Sequence, residues 1–232
     1  MDISIDITPG TLMDRIPSSR INGITSLTLR GSINGNDIEF IRCCTGGYDY
    51  DDLRQVGPLE ALDLSKCKFT PGGIYKTTEF MGHYNGSIEH FFEMGYPTEY
   101  RGIGYYGLKL TNSDEISNEM FLNCYKLKKI FLPENIKRIG NLTFYRCDNL
   151  ETVYIGNKLE SIGEFAFYNT FRLKEIHISS IKPPVLSKFA FGNPKYHGLP
   201  STNPKNRITL YVPKGSSSDY WLQWGIDNVI EE

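Results

Sequence analysis

Three consecutive segments of this chain carry the same apolar pattern at nearly constant spacing, which limits the fold to architectures in which similar units stack. The segments open at Phe121, Phe144 and Phe167 and lead on to Phe191, in steps of 23, 23 and 24 residues. Leu127, Leu150 and Leu173 follow the leading Phe by six residues. Ile130, Val153 and Ile176 follow by nine, and Leu132, Ile155 and Ile178 by eleven. Ile116, Ile139, Ile162 and Leu186 precede a Phe by five. The apolar residues nine and eleven after the Phe are two apart, so they share one face of a short strand. One such unit cannot bury its own apolar side, but a stack of them can. The pattern therefore predicts a stack with a parallel sheet along one side.

The strand pattern also occurs outside the regular segments. Ile24–Leu29, Leu59–Leu64 and Tyr105–Leu110 fit it, and Ile208–Val212 fits its second half. With the three regular copies this predicts about seven strands in one curved sheet, ordered as in the sequence. A capped short helix is expected over residues 36–42, with Asn36 or Asp37 as N-cap. Residues 69–104 read as an insertion. Residues 69–106 hold about twice the chain's 13% aromatic share. The tail from Ser216 is expected to cap the last repeat with Trp221, Leu222, Trp224, Ile226 and Val229.

Composition narrows the function classes. Over 232 residues the formal net charge is -2, with 40% hydrophobic and 22% charged residues. That is ordinary for a globular chain and supplies no basic field for nucleic acid. No apolar run approaches the ~18 residues of a membrane span. The first residues lack the basic start and apolar core of a signal peptide, so either the protein stays inside the cell or a signal has been removed.

The unit F-x-x-C-x-x-L-x-x-I-x-L-P-x-x-I-x-x-I-G, as in Phe121 to Gly140, resembles the BspA-type leucine-rich repeat. The ending Leu210–Gly215 with its Tyr- and Trp-rich tail is similar to that family's terminator. The segments Gly10–Leu12, Ile24–Leu29, Asn34–Arg42 and Leu59–Ser65 resemble a version common in Bacteroides proteins. The resemblance implies an α/β leucine-rich-repeat solenoid, with short helices or turns on the convex side and an aromatic insertion. It divides one domain into irregular N-terminal repeats over 1–68, the insertion over 69–104, regular repeats over 105–212 and a cap over 213–232. It also implies an exported, extracellular or cell-surface protein, in some members an adhesin, without shared catalytic residues. The third repeat departs from the pattern, with Thr170 in the Cys slot and Pro183-Pro184 in the Ile-x-x stretch.

A ligand surface is expected on the sheet. The residue between the last two apolar positions of each strand points outward, giving Thr28, Asp63, Lys109, Phe131, Tyr154, His177 and Tyr211. The neighbouring outward column is Ser26, Ala61, Gly107, Lys129, Thr152, Glu175 and Thr209. Parallel strands lie about 4.8 Å apart, so the aromatic residues should form a ladder. Phe131, Tyr154, His177, Tyr211, Lys109 and Lys129 are the candidate ligand-binding residues, for a host or bacterial surface protein or glycan. The competing reading is cross-strand pairing that only stabilises the sheet.

Other chemistry is thinly supported. Cys124 and Cys147 occupy equivalent slots and read as buried thiols, with a bridge as the alternative. No CxxC pair is present, so a zinc ribbon is excluded. His83 and His90, near Glu79 and Glu89, lack metalloprotease spacing. Gly46 to Asp52 is a Gly-rich acidic turn without EF-hand spacing. No cofactor, metal or catalytic residue is expected. The leading expectation is a non-enzymatic recognition module. The alternatives are a structural spacer without its own ligand and a hydrolase with its site in residues 69–106.

Overall fold

A computed structural model describes residues 1–46, 57–78, 105–187, 189–191 and 207–232. The regular segments build two parallel sheets at once. One copy of the pattern gives a strand to each, so the repeat is written into both sheets together. In the larger sheet the strands are β1 (Asp2–Ile7), β2 (Ser26–Ile33), β3 (Ala61–Phe69), β7 (Lys129–Phe131), β9 (Thr152–Ile155), β11 (Glu175–Ile178), β13 (Thr209–Val212) and β14 (Asn228–Glu231). They lie side by side in that order and every neighbouring pair is parallel. The smaller sheet runs β12 (Val185–Leu186), β10 (Ser161–Ile162), β8 (Arg138–Ile139), β6 (Glu115–Ile116).

The core lies on the inner side of these sheets. The expected apolar positions of the repeats are buried, from Leu127, Ile130 and Leu132 to Leu173, Ile176 and Ile178, apart from Leu186, which is half-buried. The leading phenylalanines form an internal stack, with ring centroids 5.4, 5.2 and 5.5 Å apart from Phe121 through Phe144 and Phe167 to Phe191. Burying each such side chain contributes roughly 1.5–3 kcal/mol before chain entropy is subtracted. A second cluster, Leu122, Leu142, Tyr145, Phe165 and Tyr168, packs outside the main core.

The turns between the sheets require backbone that L-residues rarely adopt. Glu119, Leu142 and Phe165 have φ of 59, 55 and 53°, and Asn123, Arg146 and Asn169 have 63, 56 and 60°. Each set recurs at 23 residues, so the left-handed turn is a property of the repeat and not of one residue type.

The structure corrects the expected sheet. The larger sheet holds eight strands among the described residues, and six of the seven expected ones are in it. The seventh, β5 (Tyr105–Leu110), pairs antiparallel with β4 (Gly72–Thr78) in a separate hairpin. β3 is therefore the direct neighbour of β7. A local apolar pattern specifies a strand but not its partner, which is why β5 looked like a member of the stack. The two unexpected strands, β1 and β14, form the edges, so β1 covers the edge that β2 would otherwise expose.

The expected helix is α3 (Gly35–Thr45), longer than expected and capped by Asn34. Asp37 sits inside its first turn and completes a capping box. The Asp37 carboxylate also accepts the backbone N–H groups of Gly10 at 2.6 Å and Leu12 at 2.9 Å, fastening the N-terminal segment to the helix. That segment holds two one-turn helices, α1 (Leu12–Arg15) and α2 (Ser18–Ile21). Arg42, fully buried, donates to the carbonyls of Glu119 and Met120 and docks α3 on the first regular turn.

At the other end α4 (Ser217–Trp224) closes the core. Tyr220 Oη donates to the Ser180 carbonyl at 2.7 Å, and Trp224 Nε1 to that of Pro184 at 2.9 Å. Tyr220, Trp224 and Ile226 are buried. Trp221 and Leu222, expected to cover the core, instead face solvent at 56 and 75% exposure, because the inward face of α4 is taken by Tyr220 and Trp224.

All five cysteines are free thiols, so Cys124 and Cys147 are unbridged. Burial pushes the Cys147 thiol well above its ordinary range, and its Sγ donates to the Phe121 carbonyl at 3.1 Å. Burial raises Cys67 and Cys44 to about 12. Thiols held protonated in this way are poor nucleophiles and metal ligands.

Candidate functional site

The outward column is assembled by register. Ser4, Thr28, Asp63, Phe131, Tyr154, His177, Tyr211 and Ile230 are successive in-register partners across the eight strands. Four of them carry rings, and the rings stack. Phe131 and Tyr154 have centroids 4.1 Å apart at 12°. Tyr154 and His177 are 4.3 Å apart at 9°, and His177 and Tyr211 are 4.3 Å apart at 5°. All four are half-buried. In-register positions on strands about 4.8 Å apart bring neighbouring rings close enough to stack face to face.

The expected anchors do not all meet. Lys109 stands on β5, outside the larger sheet, and so does Gly107, so neither joins the column. The physical reason is the hairpin: β5 spends its pairing on β4. Lys129 does reach the ladder, its Nζ 5.0 Å from the Phe131 centroid and 4.9 Å from that of Tyr154. A point equally far from two stacked rings lies beside the stack and not over one face. His83, His90 and Gly47 to Asp52 lie outside the described residues.

Two carboxylates flank the imidazole. His177 Nδ1 lies 3.0 Å from Glu232 Oε1, and Nε2 lies 4.0 Å from Glu175 Oε2. Glu175 Oε2 also accepts the Thr152 hydroxyl at 3.3 Å. Glu232 was not a sequence candidate. It follows β14, a four-residue strand without apolar alternation, whose register with β13 brings it near the ladder. Among the described residues no group of three His, Cys, Asp or Glu could hold a metal ion.

The stacking decides what the ladder can offer. Rings 4.1–4.3 Å apart leave no room for a third ring, so the interior faces are sealed. The ladder presents ring edges along its length, with the Tyr154 and Tyr211 hydroxyls, the His177 nitrogens and the Lys129 ammonium as its polar groups. That is a row of directional hydrogen-bonding groups on an apolar base, suited to binding and lacking an activated nucleophile.

No helix of the described residues is long and apolar enough to cross a membrane. No curated protein matches the chain. Residues 110–199 match the BspA type leucine rich repeat region in six copies. This span holds the leading phenylalanines, the smaller sheet and three of the four ladder rings. Residues 110–199 of the chain are thus a region of BspA-type leucine-rich repeats.

Proposed function

We propose that the protein is a non-enzymatic recognition module of the cell surface or the extracellular space. It binds a protein or glycan on the outer face of the larger sheet, as an adhesin does, and that sheet is one side of a curved solenoid. The observation that carries this reading is the stacked ladder Phe131–Tyr154–His177–Tyr211, half-buried and bordered by Lys129. Four adjacent strands spend their outward position on a ring, whereas β1, β2 and β3 place Ser4, Thr28 and Asp63 there. The repeat family is often surface-associated and mediates protein binding, which supports the same reading. Rigid aromatic groups lose little conformational entropy when a partner docks, so they suit a contact surface.

The test is binding of the chain to immobilised matrix proteins, mucins and glycans, beside a Phe131→Ala/Tyr154→Ala/Tyr211→Ala variant shown to be folded by circular dichroism. The expected result is a bound panel member that the variant releases at least tenfold more readily, about 1.4 kcal/mol or more. Equal binding by both would move the site off this face. Binding of nothing by either would favour a spacer without a ligand.

A further inference from the structure

The ladder is sealed along its length but not at its β3 end. Among the described residues Phe131 stacks on one ring, that of Tyr154. Its other face looks toward β3, where the in-register residue is Asp63 and the residue before it on that face is Ala61. Both are short. Asp63 also folds back on its own strand, with Oδ1 accepting the Ser65 N–H at 2.9 Å. Among the described residues no ring covers this face; Asp63 stands in register beside it, and Lys129 stands at the edge of the ring toward Tyr154.

This set of groups selects a ligand by chemistry. An aromatic face attracts either a cation or the polarised C–H face of a sugar ring. A cation is disfavoured, because the Lys129 ammonium already stands 5.0 Å from the ring centroid. A strongly anionic group is disfavoured by Asp63 in register beside it. One acceptor carboxylate, one donor ammonium and one apolar face suit a neutral ligand with hydroxyls around its rim and C–H bonds on its flat side. We propose that the Phe131 face, with Asp63 and Lys129 on its borders, is a subsite for one pyranose ring of a neutral glycan. This rests on the recognition reading above and narrows it to one end of the ladder. Asp63 accepts from ring hydroxyls and Phe131 carries the sugar's C–H face, while Lys129 at the ring's edge keeps a cation away from it.

The experiment uses the whole chain and saturation-transfer NMR. The probes are neutral hexasaccharides of glucose, galactose, mannose and N-acetylglucosamine, and a glycoprotein before and after enzymatic deglycosylation. At least one hexasaccharide should bind, through the C–H protons of one ring. Asp63→Asn keeps the acceptor for Ser65 and should weaken binding roughly tenfold, the scale of a hydrogen bond to a charged group. Phe131→Leu keeps apolar bulk without a ring face and should abolish transfer. Trp221→Ala, on the outer side of α4, should change affinity less than about twofold. Urea midpoints near that of the parent show that the variants are folded. A free oligosaccharide that binds alone identifies the glycan as sufficient, while binding of the glycoprotein only, lost on deglycosylation, identifies a glycan on a protein carrier. No binding of any probe overturns the proposal, as does binding indifferent to Asp63→Asn and Phe131→Leu. If the glycoprotein still binds after deglycosylation and only the Tyr154 and Tyr211 changes release it, the sugar subsite is wrong while the broader reading stands.

Discussion

Gly163 shows how tightly successive repeats approach one another. A Cβ there would lie 2.4 Å from Asn141 Oδ1 and 2.8 Å from Asn141 N. The equivalent Gly140 would bring one within 2.6 Å of Asn118 N and Oδ1. These asparagines are committed: Asn118 Oδ1 accepts the Asn141 N–H at 2.8 Å, and Asn141 Oδ1 accepts the Glu164 N–H at 2.9 Å. Any side chain at Gly163 must push against a backbone and a used hydrogen-bond acceptor. Gly163→Ala is thus expected to destabilise the fold by about 1–3 kcal/mol, the usual scale of overpacking. A urea unfolding midpoint within error of the parent would contradict this packing. The Ile-Gly dipeptide was visible in the sequence as part of the repeat. Its reason was not, because a neighbour 23 residues away sets the space.

The C-terminal cap is held by charge as well as by packing. The Glu231 carboxylate of β14 accepts the Ser217 N–H of α4 at 3.1 Å and lies against that of Gly215. These backbone donors lower its pKa to about 2 from the ordinary 4.5. A depressed carboxyl contributes its stabilisation above the unfolded value and loses it as pH falls through the folded one. The cap should therefore loosen between about pH 4.5 and 2. Both tryptophans of the chain, Trp221 and Trp224, lie in α4, so intrinsic tryptophan fluorescence reads this element alone. The emission should shift over that window in the parent, and Glu231→Gln should remove most of the change. An identical acid transition in both would rule out this contact as the cause. At this scale the sequence was only partly informative. The regular strands were legible from their apolar slots, and so was the existence of a capping tail. The edge strands β1 and β14 were not placed: β1 alternates Ile3, Ile5 and Ile7 but lacks the Leu-x-x-Ile-x-Leu signature of the repeat, and the four residues of β14 carry no alternation. β5 carried the right period and went to another partner.

Across the whole molecule the repeat fixes far more than it names. It sets the buried phenylalanine stack on the inside and, through the same register, the aromatic column on the outside. The column's members were legible from their places between core residues, because strand alternation points them outward once the core is known. That their faces are sealed was not legible, since it depends on ring orientation at the strand spacing. Nor was the absence of Lys109 from the face, which depends on strand pairing. The central claim is that the outer face of the larger sheet makes the contact. Hydroxyl-radical footprinting, with a bound panel member present and absent, tests it most directly because it reads side-chain exposure residue by residue. The account predicts reduced oxidation of Phe131, Tyr154, His177 and Tyr211 in the complex, with exposed Trp221 unchanged. Protection of Trp221 and Leu222 with an unprotected ladder would contradict it and assign the contact to the cap.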